Sequence, residues 1–66
     1  MQFLIEDLSC NHCAGVITKT VTTLDPTAML DIDIPSKTVK IRSTANAQTI
    51  AAALDQAGYP AVFQSE

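Results

Sequence analysis

Leu8-Ser9-Cys10-Asn11-His12-Cys13-Ala14 holds both cysteines and the only histidine of the chain. Upstream of it apolar residues alternate, and downstream they recur every three or four positions. The stretch therefore reads as a strand-to-helix loop. Two thiols on a loop beside a helix N-terminus suit a soft metal ion or thiol redox chemistry. What the rest of the chain builds around them bears on that choice.

On the N-terminal side, Phe3 and Ile5 share one face of a strand over residues 2–8, with Gln2, Leu4 and Glu6 on the other. Leu8 breaks the alternation, so the backbone is expected to turn near Asp7. On the other side, Cys13, Val16, Ile17, Thr20, Val21 and Leu24 form one helical stripe. Ser9 or Asn11 is the expected cap at its start. Asp25-Pro26 ends it, because the residue before proline avoids the helical region.

Leu30, Ile32 and Ile34 then alternate with Asp31 and Asp33, and Pro35-Ser36 marks a turn. Val39 and Ile41 alternate with Thr38, Lys40 and Arg42, which makes a hairpin. The acidic and basic outer faces are expected to pair across it, at about 0.2–1 kcal/mol per pair. Thr44 or Asn46 caps a second helix with Ile50, Ala53, Leu54 and Ala57 as its buried stripe. Gly58 suits the left-handed position past its end, and Pro60 cannot continue it. Ala61-Val62-Phe63 reads as a short last strand, with Gln64-Ser65-Glu66 expected to fray.

The order is β-α-β-β-α-β. It predicts an α+β fold, a ferredoxin-like sandwich with two helices packed on one face of a four-stranded antiparallel sheet. The expected core is Phe3, Ile5, Val16, Ile17, Leu30, Ile32, Val39, Ile41, Ile50 and Leu54. With no repeat or linker, residues 1–66 make one domain.

A chain of 66 residues often needs a staple to fold. A bridge between Cys10 and Cys13 would close too small a loop to act as one. The core must supply the stability, and the 47% hydrophobic content is enough for it. The cysteines are left free for chemistry. A net charge of −3 with only four Lys and Arg argues against nucleic acid. No apolar run reaches the ~18–20 residues of a membrane span, so no membrane insertion is expected. A start at Met without a signal peptide suggests the reducing cytosol, a cytoplasmic setting in which Cys-x-x-Cys favours metal binding or catalysis.

Cys13 should fall in the first helical turn, where the helix dipole favours a thiolate. Two soft thiolates without a further nearby ligand match Cu(I) best. Structural zinc sites usually draw four ligands from two paired motifs, and this chain has one pair. Zinc completed by His12 and a water or carboxylate is a poorer site. A thiol-disulfide redox role is weakened because the chain lacks Trp-Cys-Gly-Pro-Cys. A hairpin between two helices is also not the thioredoxin order.

The strand, Cys10-Asn11-His12-Cys13-Ala14, the stripe Val16 to Val21, the hairpin and Gln56-Ala57-Gly58-Tyr59 together resemble the heavy-metal-associated domain family. The likeness is to its stand-alone bacterial copper chaperones and spans essentially the whole chain. It implies a non-enzymatic carrier that binds Cu(I) through Cys10 and Cys13. Delivery is to a copper-transporting P-type ATPase, at its metal-binding domain. Tyr59 matches the loop tyrosine of bacterial members, close to the metal. His12 is a candidate extra ligand, or a bridge to a second protomer's copper in a copper-bridged homodimer. Leu8 stands where Met is usual, a volume-conserving swap. Asp25-Pro26-Thr27 replaces the usual glycine after the first helix. The alternatives are a carrier of Zn, Cd or Hg, and the redox module.

Overall fold

Alternating and helically spaced apolar residues produce the six expected elements in the computed structural model, which describes residues 1–65. They are β1 (Gln2–Leu4), α1 (Asn11–Leu24), β2 (Met29–Asp33), β3 (Thr38–Arg42), α2 (Ala47–Gln56) and β4 (Val62–Ser65). The sheet order is β2-β3-β1-β4, and every neighbouring pair is antiparallel. Each helix thus crosses over a strand lying between the two it connects. This is the ferredoxin-like arrangement expected from the sequence.

The core sits between the helices and one face of the sheet. Phe3, Ile5, Val39 and Ile41 from the sheet side meet Ile17, Val21, Ile50 and Leu54 from the helices. All eight are buried, as is Leu8 beneath the first loop. Fully burying one such side chain stabilises the fold by about 1.5–3 kcal/mol. Leu30 and Ile32 are only half-buried, because β2 is an edge strand, and Val16 is half-buried on the flank of α1. Phe63 packs its ring edge against Phe3 at 5.7 Å while staying partly exposed.

Several boundaries differ from the sequence reading. β1 ends at Leu4, and a turn closed by the Leu8 N–H on the Ile5 carbonyl (3.0 Å) carries the chain into the loop. Leu24 drifts out of the buried stripe and is 42% exposed. Gln64 and Ser65 belong to β4, with Gln2 Nε2 donating to Gln64 Oε1 at 2.9 Å. The expected fraying of these two residues is therefore overturned, while Glu66 lies outside the described residues. Across the hairpin, Asp31 faces Lys40, but Asp33 faces Thr38 and Met29 faces Arg42. Only one of the expected charge pairs is directly opposed.

Both ends of α2 follow local rules. Asn46 caps it by accepting from the Thr49 N–H at 2.8 Å. At the other end the Gly58 N–H bonds the Asp55 carbonyl (3.0 Å) and the Tyr59 N–H bonds the Leu54 carbonyl (2.9 Å). This is a Schellman closure. It needs a positive φ at its left-handed residue, supplied by Gly58 at 92°. The closure fixes where Tyr59 leaves the helix.

Candidate metal centre

The first loop delivers its two sulfurs to one point by different means. Cys10 occupies the N-cap of α1 with extended backbone (φ −160°, ψ 172°), and its side chain makes no capping bond. The expected capping by Ser9 or Asn11 does not occur: Asn11 is already the first helical residue, and Ser9 turns elsewhere. Cys13, one turn in, is buried and joins the core cluster. Cys10 is exposed. Their Sγ atoms lie 3.5 Å apart. Leu8, at the position where Met is usual in the family it resembles, is fully buried and belongs to the core cluster.

Cys13 receives most of the surrounding polar groups. The Tyr59 hydroxyl, carried in by the Schellman closure, bonds its sulfur. Ser9 reaches the same atom with its backbone N–H and with its hydroxyl at 3.9 Å. These donors stabilise the thiolate, Tyr59 most, then the Ser9 N–H, Cys10 and the Ser9 hydroxyl. Burial opposes them, and the net result is a Cys13 thiol pulled from 9.0 down to about 6. The Tyr59 hydroxyl is pushed up, first by its bond to Cys13, then by burial and by the charges of Cys13, Cys10 and Asp7. The first turn of α1 contains no acidic side chain, so nothing there offsets the favourable end of the helix dipole.

Ionisation of Cys13 can be followed by alkylating the metal-free protein across pH. Half-maximal reactivity is expected near pH 6, well below that of an ordinary thiol. Tyr59→Phe removes the largest stabilising donor and should move the midpoint upward. The folded state prefers the thiolate. Its contribution to stability is thus complete above pH 9.0, and it is lost as pH falls through about 6. A midpoint above pH 8 in the native protein would contradict this geometry.

The four residues singled out from the sequence do not all converge. Cys10, Cys13 and Tyr59 meet, whereas His12 is exposed on the first turn of α1. Among the described residues, no group of three or more His, Cys, Asp and Glu side chains is placed to hold a metal ion. Sequence reasoning gave Ser9 only a capping role. The signal for its true contact was its spacing of four from Cys13, the reach of one helical turn.

No described helix is long and apolar enough to cross a membrane. A sequence search of curated proteins gives no significant match. Among solved structures, a gold-binding protein superposes with a TM-score of 0.94 at 39% identity, covering 97% of this chain and 98% of the other. The copper chaperone Atx1 from Synechocystis PCC6803, in a trimeric form, gives 0.90 at 31% identity, covering 92% and 97%. A cyanobacterial copper metallochaperone, ScAtx1, gives 0.76 at 30% identity, covering 92% and 95%. The model of the heavy-metal-associated domain matches residues 2–60, which include the thiol loop and reach past Tyr59. The chain belongs to the heavy-metal-associated domain family.

Proposed function

We propose that this protein is a cytoplasmic copper(I) carrier that holds the ion between Cys10 and Cys13. It hands the ion by ligand exchange to the metal-binding domain of a copper-transporting P-type ATPase. The observation that carries the reading is the isolated pair of sulfurs, 3.5 Å apart, with no third candidate ligand clustered beside them among the described residues. A soft monovalent d¹⁰ ion accepts two thiolates, whereas zinc usually takes four ligands. The likeness to copper chaperones favours the same ion.

The asymmetry of the pair suits exchange. Cys13 is anchored in the core and hydrogen-bonded, so its position is fixed. Cys10 is at the surface, where an acceptor's thiolate can approach the shared ion. Transfer then replaces one sulfur–copper bond at a time, and the ion is never released to water. The net charge of −3 favours encounter with a basic acceptor surface. His12, exposed on the first turn of α1, would then be the residue to reach copper held by a second protomer in a copper-bridged dimer. No catalytic step is needed for this role.

Gold(I) is a second reading, favoured by the gold-binding relative at 39% identity, since Au(I) is also soft and content with two sulfurs. An anaerobic competition decides among the ions. Cu(I) should be retained against a competing chelator at one ion per monomer, or as copper-bridged dimers, and Zn(II) should not displace it. Preferential retention of Au(I) would move the assignment to gold. Preferential retention of Zn(II), Cd(II) or Hg(II) would replace the copper assignment with a divalent carrier.

A further inference from the structure

We propose that Ser9 is a positioning residue for the metal pair, its hydroxyl holding the Cys13 sulfur in the orientation that receives the ion. The proposal rests on the reading of Cys10 and Cys13 as the metal-binding thiols, and it deepens that reading.

Ser9 immediately precedes the N-cap of α1, where a serine would ordinarily bond a free backbone N–H of the first turn. Cys10 occupies the cap position with no capping bond, so the helix start forgoes that stabilisation. The Ser9 hydroxyl instead lies 3.9 Å from Cys13 Sγ, across one helical turn. Among the described residues this is the only side-chain hydrogen bond that Ser9 makes. Ser9 is exposed, so packing does not hold it there. Either atom can donate in the metal-free pair, whereas a metal-bound Cys13 sulfur can only accept from the hydroxyl.

Residue 9 thus brings its hydroxyl to the Cys13 sulfur at 3.9 Å. Tyr59 approaches the same sulfur from the far loop. Cys13 is thus held by groups from two segments, and Cys10, 3.5 Å away, completes the pair. Groups that orient a metal ligand in this way typically change affinity about 10- to 100-fold when removed. A single hydroxyl at this distance belongs at the lower end of that range.

The test separates the hydroxyl from the rest of the residue. Ser9→Ala keeps the backbone N–H and removes only the hydroxyl, and Ser9→Thr restores one. Affinity for Cu(I) would be measured anaerobically against a competing chelator, and thermal midpoints recorded on the metal-free proteins. The expected result is about a tenfold loss in Ser9→Ala and recovery to within about threefold of native in Ser9→Thr. The midpoints should stay within a few degrees, as for other exposed substitutions. The proposal is overturned if Ser9→Ala binds within twofold of native, or if Ser9→Thr is as weak as Ser9→Ala. Failure of the underlying reading shows differently: the native protein would then fail to hold the ion, or Cys10→Ser would hold it as tightly as native.

Discussion

Replacing either cysteine by serine should lower affinity for Cu(I) by roughly a hundred- to a thousandfold. The scale comes from zinc fingers, where four ligands share about 10–16 kcal/mol of binding free energy. One thiolate then accounts for about 2.5–4 kcal/mol, and every 1.4 kcal/mol is a factor of ten. A two-sulfur site has no spare ligand to compensate. Cys10→Ser is the cleaner variant, because Cys10 is exposed and its loss leaves the core untouched. Cys13→Ser puts a hydroxyl at a buried position, so its fold must be checked by circular dichroism before its affinity is read. Chelator competition under anaerobic conditions measures both. A loss below tenfold in folded protein would remove the pair from the role of ligands.

The second large effect lies at the opposite end of the molecule. Asp25 ends α1 and is buried, with no cation among the partners of its carboxylate. Its Oδ1 accepts from the Thr27 N–H (3.0 Å) and hydroxyl (2.7 Å). Its Oδ2 accepts from the Ser43 hydroxyl (2.8 Å), the Thr44 N–H (3.1 Å) and the Thr44 hydroxyl (3.3 Å). One side chain thus joins the α1–β2 connection to the β3–α2 connection. These donors, the Thr27 hydroxyl foremost and then Ser43, hold the carboxyl far below the usual carboxylate range.

Asp25→Asn replaces one accepting oxygen with an amide that meets donors with its own N–H groups. Hydrogen bonds to a charged acceptor are among the stronger ones. The thermal midpoint at neutral pH is therefore expected to fall by roughly 10 °C in a domain of this size. The folded state lowers the acid's pKa, so the stabilisation is fully present above about pH 4 and fades as pH drops toward the folded value. The gap between native and variant midpoints should accordingly narrow in acid. Cu(I) affinity should be unchanged wherever the variant is folded, because the latch is remote from the sulfurs. A midpoint within about 2 °C of native at pH 7 would show that the latch contributes little.

Residues 2–63 announced the fold because their apolar positions repeat at two spacings, and the packed core obeys both. Phe3 and Ile5 alternate, Ile17 and Val21 lie one turn apart, and Gly58 marks the end of α2. Contacts among distant residues were not legible. Asp25 reads locally as a helix stop before Pro26, while Ser43 and Thr44 lie 18 and 19 positions away. Nothing in their spacing connects them. At the start of α1, Ser9 and Asn11 both have capping chemistry, and local preference pointed to one of them. The helix instead starts at Asn11 with Cys10 at the cap, so neither side chain stands at the capping position. Leu24 fits the helical stripe by count, yet it is 42% exposed in the last turn of α1. The thiol pair was visible as a motif, but its meeting with Tyr59 came into view only through the family likeness.

The closure at the end of α2 also gives the molecule an optical property. The chain has one tyrosine and no tryptophan, and the hydroxyl of that tyrosine interacts with Cys13. Excited in the tyrosine band, its ultraviolet emission comes from a single fluorophore beside the thiol pair. Protonation or metallation of that thiolate changes the immediate partner of the phenol. A soft-metal titration of the unlabelled protein thus carries its own reporter, placed there by the backbone geometry of Gly58.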